Sequence, residues 1–281
     1  MKTLKFNTKV LLTLTFAGFF ISSCSENEPV APVAQDQEVN EIVQSSQMDQ
    51  ISASLENFII EVYEDQESAE ARGGISSRTS FPECVTLTLV MEQNFRELTI
   101  DFDEGGCDIH GHLYRGQIVL TYQRNPQAQQ VTLDYVLNDY YFDDIQVLGS
   151  NSILKELSNA NGNPQFTHNV DLTVIWPNGI QASREGQIVN EWIEGFDTGV
   201  FTDNVFEYTG YWNATFANGG THNYEVILPL RKEASCYHFV RGSIDADLQL
   251  FDGVLDYGDG ACDNLATFTF ANGTLINIVL N

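Results

Sequence analysis

Apolar and polar side chains alternate along most of the chain after residue 84. The clearest runs cover residues 98–102, 118–122, 131–137, 170–176, 224–230 and 244–250. In each run, every second position carries an aliphatic or aromatic residue, and the positions between are mostly polar. Because successive side chains of an extended strand point to opposite faces, this period of two predicts half-buried β-strands.

Turn sequences separate these runs. Asn-Gly pairs occur at residues 161–162, 178–179, 218–219 and 272–273, and these residue types adopt the positive φ that tight hairpin turns require. No run of helical period lies between the strands, which argues against the crossovers that parallel strands need. We therefore predict a mainly β fold over residues 81–281, an antiparallel meander forming a sandwich or an open barrel.

A helical period precedes the β region. Over residues 38–67, apolar side chains recur three and four positions apart, with acids and glutamines between them. This spacing predicts an N-terminal amphipathic helix, or two shorter ones, whose apolar stripe packs against the domain that follows. Residues 24–37, with proline and polar side chains and no apolar period, are predicted to form a stalk linker. Residues 68–80, which contain Gly73 and Gly74, are predicted to form a second linker.

The first residues are typical of an export signal. Lys2, Lys5 and Lys9 precede an apolar run from Val10 to Ile21. This run is too short to span a bilayer, since a membrane helix needs about 20 apolar residues. A positive segment followed by a short apolar run predicts a signal peptide rather than a membrane anchor.

The end of the apolar run identifies the kind of export signal. Ile21-Ser22-Ser23-Cys24 resembles the lipobox of bacterial lipoproteins, with a branched apolar residue, two small residues and a cysteine. The resemblance implies that residues 1–23 are a lipoprotein signal peptide, and that Cys24 becomes a lipidated N-terminus carrying acyl chains such as palmitate. Two anchoring signals already suffice for stable membrane attachment. An ordinary secretory leader with a chance cysteine is the alternative.

The residues after the cysteine bear on localisation. Ser25 follows Cys24, and the resemblance implies transit to the outer membrane, because retention at the inner membrane commonly uses Asp at this position. Glu26 and Glu28 resemble the surface-export signal of Bacteroidota lipoproteins, although they are equally typical of a solvated linker. We therefore expect lipid anchoring in the outer membrane, at the cell surface rather than on the periplasmic face.

The charge of the chain restricts its partners. The sequence has 13 Lys and Arg against 39 Asp and Glu, a formal net charge of −26. Removal of residues 1–23 takes away three lysines and no acid, which gives −29. This field repels nucleic acid and anionic head groups, and attracts divalent cations or cationic partners. The expected contact with the membrane is therefore through the lipid anchor, and no nucleic-acid partner is expected.

An internal repeat divides the β region into two related halves. The segment 101–108, Asp-Phe-Asp-Glu-Gly-Gly-Cys-Asp, matches the segment 256–263, Asp-Tyr-Gly-Asp-Gly-Ala-Cys-Asp. Each copy ends a predicted strand, and each has a second cysteine upstream. Two equivalent halves, each with one cysteine pair and one acidic loop, are the simplest interpretation.

Four cysteines in an exported chain, apart from the lipidated Cys24, predict two disulfides. We favour Cys84 with Cys107 and Cys236 with Cys262, because each would join neighbouring strands within one copy of the repeat. The other symmetric pairing, Cys84 with Cys262 and Cys107 with Cys236, would join the halves to each other. A zinc site is the alternative use of these cysteines, but no CxxC spacing is present.

The acidic loops and two nearby histidines are candidate metal ligands. Calcium takes several oxygen ligands at once, and the loops offer Asp101, Asp103, Asp108, Asp256, Asp259 and Asp263. Acidic turns that close a hairpin next to a disulfide are the favoured alternative. His110 and His112 would face the same way in a strand and could share a metal, but the sequence shows no third ligand. No cofactor other than calcium is implied.

No catalytic motif supports an enzyme. The chain lacks a GxSxG elbow, an HExxH pair and a phosphate-binding glycine loop. Paired carboxylates of the glycosidase type stay open, because their spacing is spatial rather than sequential. The aromatic and acidic segment 138–144, with Trp176, Trp192 and Trp212, would form either a sugar-stacking platform or part of the core.

The lipobox and the repeated acid-glycine-cysteine loops resemble the uncharacterised envelope lipoproteins numerous in Bacteroidota. No catalytic residue carries over from that resemblance. It implies an envelope-anchored, surface-displayed β domain of binding or structural type. Two rival functions are a carrier of an apolar ligand or lipid, held between helix and sheet, and a carbohydrate-active enzyme. Protein, carbohydrate and lipid ligands all stay open.

Overall fold

The computed structural model describes residues 32–73, 81–196 and 198–280. These contain one long helix, α1 (Pro32–Ala71), a short 3-10 helix (Phe201–Asp203) and 14 strands. The strands are β1 (Thr86–Glu92), β2 (Phe95–Asp101), β3 (Cys107–Ile109), β4 (His112–Gln123), β5 (Gln130–Phe142), β6 (Ile145–Glu156), β7 (Gln165–Ile175), β8 (Gln181–Glu194), β9 (Val205–Phe216), β10 (Thr221–Glu233), β11 (Arg241–Asp247), β12 (Asp252–Asp259), β13 (Leu265–Phe270) and β14 (Leu275–Val279).

All the strands belong to one antiparallel sheet. They follow one another in chain order from β1 to β14, except that the short β3 lies off the path and pairs only with β4. The prediction of a mainly β antiparallel meander with an N-terminal helix is confirmed. The described strands form one continuous sheet rather than the two layers of a sandwich, and this sheet does not close on itself.

Bulges bend the sheet at glycines. The pairing of β4 with β5 shifts register at Gly116, which has φ +84° and whose Cβ, if present, would lie 2.1 Å from the Asp139 carbonyl oxygen. Gly242 marks a similar shift between β11 and β12, with φ +111°. Because a bulge bends its strand and increases the local twist, these glycines help the sheet to curl.

Helix α1 lies inside the curled sheet. Its apolar side chains on several faces, among them Ile42, Ile51, Leu55, Phe58 and Ile59, are buried. Polar residues of the same helix are buried as well, including Ser45, Asp49, Gln50, Glu56 and Asn57. The helix packs against the β domain as predicted, but its burial is not confined to one apolar stripe, because the sheet encloses the helix. Basic side chains from the strands pair with several of its acids.

The helix is also longer than the predicted 38–67, and it occupies part of the predicted stalk 24–37. It is one helix from Pro32 to Ala71, because proline is compatible with a first helical turn and the residues after it favour helix. It ends where Gly73 adopts φ +78° and donates its amide to the Glu70 carbonyl oxygen. The leader, Cys24 and the rest of the stalk lie outside the described residues, as do residues 74–80 of the second linker.

The two disulfides pair as favoured. Cys84 is bonded to Cys107 and Cys236 to Cys262, with Cα atoms 5.5 and 5.7 Å apart. Each bond spans one hairpin, β1–β2 or β11–β12, and the acidic turn after it. The repeat thus corresponds to two disulfide-closed hairpins, whereas the strands between them form one uninterrupted meander.

Candidate ligand-binding cleft

Several acids of α1 form ion pairs in the space between the helix and the sheet. Four acids of the helix meet a basic side chain from a strand or from the residue directly after one. We call these pairs the charge row: Glu70 with Arg96 (2.9 Å), Glu67 with Arg124 (3.0 Å), Glu64 with Lys155, and Asp49 with Arg184 (2.8 Å).

Two buried histidines extend this pattern toward the start of the helix. His168 Nδ1 lies 3.5 Å from a carboxylate oxygen of Glu56, and His222 Nε2 lies 3.0 Å from one of Glu41. Burial lowers the pKa of His222 to about 4. The imidazole at Glu41 is therefore neutral, and the charge row proper consists of the four Arg and Lys pairs.

The charge row changes the ionisation of its members. Burial alone would raise the pKa of Glu70, but hydrogen bonds from Arg96 and Gln66 hold it below its ordinary value. Deeper in the interior, burial raises the pKa of Asp49 to about 7, although the nearby Arg184 guanidinium acts in the opposite direction. The basic partners therefore outweigh burial at Glu70, whereas burial outweighs the Arg184 guanidinium at Asp49.

Glu61 differs from the charge-row acids because no basic side chain of the described residues pairs with it. Its carboxylate, which is partly buried, makes no hydrogen bond or ion pair with any described residue. Burial first, and the neighbouring Asp65 carboxylate second, raise the pKa of Glu61 to about 7. This carboxyl therefore lacks the counter-charge that the charge-row acids have.

A cleft opens next to Glu61. It has a volume of about 490 Å³, and we call it the acidic cleft. Helix α1 forms its floor, and the segment between β8 and β9 with the adjoining strand ends forms its wall. The lining residues on which the argument rests are Asn57, Glu61, Asp65, Trp192, Phe196 and Phe201.

The segment 195–204 is held over the helix by its own contacts. Thr198 Oγ1 donates to Asp203 Oδ1 at 3.0 Å, which fixes the turn. The Phe201 ring stacks on His110, with 4.5 Å between ring centroids and 10° between planes. This stack joins the segment to the turn between β3 and β4. Phe196 and Val200 stay exposed at the rim of the acidic cleft.

A second cleft adjoins the first. We call this space of about 320 Å³ the histidine cleft, and it shares Asn57, Glu61 and Phe201 with the acidic cleft. Lys232 also lines it, and burial lowers the pKa of that amine to about 7. Lys232 Nζ donates to the Tyr237 carbonyl oxygen, so this amine is oriented by its own neighbours rather than by Glu61.

His110 and His112 both line the histidine cleft. The two histidines do not lie in one strand, because His110 has φ +54° in the turn and only His112 belongs to β4. His112 Nδ1 lies 2.6 Å from Asp143 Oδ2. Burial, and secondarily His112, lower the pKa of His110.

The acidic loops use their carboxylates to fix turns. In the first loop, Asp101 accepts hydrogen bonds from the Asp103 amide (3.0 Å) and from Gln117 Nε2. Asp103 accepts one from the Glu104 amide, and Asp108 accepts one from the Gly111 amide. In the second loop, Asp256 accepts from Ser243 Oγ (2.7 Å) and the Gly258 amide, and Asp263 accepts from the Leu265 amide. Asp259 lies opposite Arg241 in the sheet. Across the described residues, no three His, Cys, Asp or Glu side chains form a group that could hold a metal ion. Calcium binding by these loops stays the less favoured alternative.

The three tryptophans do not form one platform. Trp212 is buried beneath the Arg184 guanidinium, 4.5 Å from its ring centroid, and Trp176 Nε1 donates to Gln47 Oε1 on the helix. Only Trp192 lines the acidic cleft. In the segment 138–144, Tyr140 and Phe142 are buried, so this segment contributes to the core.

The interior between helix and sheet is closely packed. One small void there, lined by residues such as Asp49, Arg184 and Trp212, measures about 20 Å³. A single water needs about 10 to 15 Å³, so this void gives a lipid carrier no support. No stretch of α1 in the described part of the chain is apolar enough for a membrane span.

No protein-family model, curated protein or solved structure matches this chain. The function is therefore inferred from the cleft and from the sequence of the leader.

Proposed function

We propose that this chain is an envelope-anchored lipoprotein, displayed at the cell surface, whose β domain binds a ligand in the acidic cleft. The lysine-rich leader, its short apolar run and the lipobox ending in Cys24 support the anchor. The uncompensated Glu61 in a cleft of about 490 Å³ is the observation that carries the binding function.

The cleft has the properties of a small-molecule site. Its volume lies within the range of about 300 to 1,000 Å³ found for ligand pockets, which combine apolar walls with a few polar groups. Trp192, Phe196 and Phe201 supply the walls. Asn204 also lines the cleft, is only 8% exposed, and has no hydrogen-bond partner for its side-chain amide among the described residues. A ligand would satisfy this amide.

Cys24→Ala tests the anchor. Labelled palmitate should attach to the wild-type chain and not to the variant, because the thiol is the acylation site that the lipobox implies. Protease treatment of intact cells then tests display, since a surface domain is cleaved without permeabilisation. Palmitate on the Cys24→Ala chain would refute the anchor, and protection in intact cells would refute surface display.

Native mass spectrometry of the full chain, released from the envelope in mild detergent, tests the cleft. We expect a bound small molecule on the wild-type protein and on Glu185→Gln, a control on the exposed face of β8. We expect its loss from Phe201→Ala, because Phe201 is shared by both clefts. If Phe201→Ala retains every bound species, or if no species or added compound binds the wild type, the cleft is not the binding site.

One observation favours a carbohydrate-active enzyme as a second candidate. Glu61 and Asp65 lie one helical turn apart and line the same cleft, and side chains at this spacing have Cβ atoms about 5 to 6 Å apart. Retaining glycosidases hold two carboxyl groups about 5 to 5.5 Å apart. With a pKa of about 7, Glu61 would be protonated at mildly acidic pH and able to act as a general acid.

Hydrolysis of a panel of aryl glycosides and polysaccharides tests this second candidate. The expected result is turnover that falls at least about 100-fold in both Glu61→Gln and Asp65→Asn, because general acid catalysis contributes about 10²- to 10⁴-fold. Activity that survives either substitution, or no activity on any substrate, would remove this candidate and leave the binding function.

A further inference from the structure

The pairing along α1 shows what the acidic cleft lacks. The four charge-row acids meet Arg or Lys, and two more acids meet buried imidazoles. Glu61 lies within the same stretch of helix, between Glu56 and Glu64, yet no described side chain pairs with it. Where a basic residue would complete the pattern, the chain has an open cleft instead.

Basic residues nearby are already engaged. Arg231 pairs with Glu194 and Glu233, at 2.9 and 3.1 Å. Lys232, which lines the adjoining cleft, donates to Tyr237 and to Gln50 Oε1. A cation that neutralises Glu61 must therefore come from outside the described part of the chain.

We propose that the acidic cleft binds an organic ammonium ion, which pairs with the Glu61 carboxylate and packs against the rings of Trp192, Phe196 and Phe201. This inference rests on the proposed binding function and names the chemical class of its ligand. The ligand supplies the positive charge that Arg or Lys supplies to the charge row.

The rings favour an organic cation over a metal ion. A hard metal ion needs several oxygen ligands, and the described residues form no such group. An ammonium group carries hydrocarbon substituents that pack against aromatic rings, and its charge is attracted to the ring faces, an interaction of about 0.5 to 2 kcal/mol. Trp192 and Phe196 meet edge to face, with ring centroids 5.1 Å apart, and so form a corner of aromatic surface.

The net negative charge of the whole chain also favours a cationic ligand. With a formal charge of −26 before any cleavage, the protein attracts cations toward its surface and raises their encounter rate. Within the cleft, Asp65 lies close enough to Glu61 to disfavour its ionisation. A bound cation relieves this repulsion.

Binding should strengthen as the pH rises, because the ammonium ion pairs with ionised Glu61 and displaces its proton to solvent. The other titratable groups that line the two clefts beside Glu61 come from five places in the fold. They are Glu64 and Asp65 on α1, His110 in the β3–β4 turn, His112 and Tyr114 on β4, Lys232 on β10, and Tyr237 between β10 and β11. Burial lowers the pKa of His110 and of Lys232. Protonation of these two groups at low pH adds positive charge and weakens cation binding further, so they reinforce the trend.

Isothermal titration calorimetry on the full chain in detergent tests the proposal. The probes are spermidine, putrescine and choline, with magnesium chloride as the inorganic control. We expect at least one ammonium probe to bind more tightly at pH 8 than at pH 6. Loss of the ion pair with the carboxylate should weaken that probe about tenfold or more in Glu61→Gln, while Glu185→Gln binds as the wild type does.

A variant that lacks one aromatic ring distinguishes the contribution of the rings from that of the charge. Phe196→Ala should weaken choline more than it weakens magnesium, because only the organic cation uses the rings. The proposal fails if Glu61→Gln binds the ammonium probes with wild-type affinity, or if magnesium competes at equal concentration. It also fails if the species retained from the envelope is neutral or anionic, in which case the proposed binding function stands and only the ligand class is wrong. If neither a probe nor an envelope species binds the wild type, and Phe201→Ala changes no binding, then the ammonium proposal and the proposed binding function fail together.

Discussion

Phe201 and His110 are stacked with their ring centroids 4.5 Å apart, and this contact joins two segments that are about 90 residues apart in sequence. Phe201 belongs to the connection between β8 and β9, and His110 to the turn between β3 and β4. Neither segment belongs to an outer strand of the sheet, since those are β1 and β14. Phe201 lines both the acidic cleft and the histidine cleft, and His110 lines the histidine cleft, so the stack lies where the two clefts adjoin.

Phe201→Ala should loosen the segment 195–204 without unfolding the domain. An aromatic pair contributes about 0.5 to 1.5 kcal/mol beyond the area it buries, so the free energy of unfolding should fall by about 1 kcal/mol. Hydrogen exchange should become faster in the amides of this segment and of the β3–β4 turn. Phe196→Ala is the matched control, since Phe196 is exposed and contacts Trp192 rather than the turn. Unchanged exchange in the turn of Phe201→Ala would show that the stack does not hold the segment.

Arg184→Ala tests the charge row at its most buried pair. Asp49 and Arg184 are almost fully buried and 2.8 Å apart. Removing one partner of a buried ion pair leaves an uncompensated polar group and costs about 3 to 5 kcal/mol. We expect a loss of this size in urea unfolding, and recovery of much of it in the double variant Asp49→Leu with Arg184→Met. Arg241→Ala, which breaks the more exposed pair with Glu207, should cost about 1 kcal/mol or less. Equal losses in both single variants would contradict the structural role of the charge row.

The local features of the fold were predictable from the sequence. The alternating runs 98–102 and 118–122 lie in β2 and β4, because alternation follows directly from the geometry of a half-buried strand. The disulfide pairing followed from the repeat, since each copy carries its own cysteine pair. The helix was predicted to pack against the β domain, which it does, but it is longer than predicted and is buried on more than one face. A helix enclosed by a sheet buries acids and glutamines on all sides, so its sequence does not identify an apolar face.

The cleft could not be predicted in the same way. Glu61 looks like one more solvated acid of an acidic helix, and its importance appears only when its neighbours on the helix are found to have basic partners. Those partners come from distant strands: Lys155 lies about 90 residues after Glu64, and Arg184 about 135 residues after Asp49. Phe201 lies in a connection with no sequence pattern of its own. One signal was available: the scarcity of basic residues meant that some acids would lack a partner.

Each disulfide should contribute to stability by an amount that is set by the length of the loop it closes. In the chain-entropy model, loops of 23 and 26 residues correspond to about 3 kcal/mol apiece. We expect Cys84→Ser with Cys107→Ser, and Cys236→Ser with Cys262→Ser, to lower the free energy of unfolding by similar amounts. Non-reducing mass spectrometry of the wild-type protein should recover both cross-linked peptides. Alkylation of all four cysteines in the native exported protein would contradict the oxidised framework.

The acidic loops should not respond specifically to calcium. Asp101, Asp103 and Asp108 accept hydrogen bonds from backbone amides of their own turn, and these bonds need no cation. Calcium and magnesium should therefore shift the melting temperature alike, through weak screening of the negative charge. Asp103→Asn keeps an acceptor oxygen and should melt close to the wild type. A shift of several degrees with calcium alone, absent in Asp103→Asn or Asp259→Asn, would instead establish a calcium site.

Glu61 should make the domain less stable as the pH rises. Its pKa is about 7 in the folded protein, against an ordinary value near 4.5, so the folded state holds this proton more tightly than the unfolded state does. The resulting stabilisation is fully present below about pH 4.5 and is lost as the pH passes through about 7. At 1.36 kcal/mol per pKa unit, the loss is about 3 kcal/mol. Glu61→Gln removes the titration, so it should be more stable than the wild type at pH 8 and nearly equal to it at pH 5.

Urea unfolding of the wild type and of Glu61→Gln at pH 5 and pH 8 measures this difference. The contributions of groups that titrate alike in the two proteins cancel in the comparison. Glu185→Gln is the matched control, because Glu185 is exposed and its replacement should give the same small effect at both pH values. An ammonium ligand adds an independent check. It should stabilise the wild type at pH 8, where Glu61 is ionised, and leave Glu61→Gln unchanged. If Glu61→Gln is no more stable than the wild type at pH 8, then Glu61 is already compensated in the folded protein, and the premise of an unmet charge in the acidic cleft is wrong.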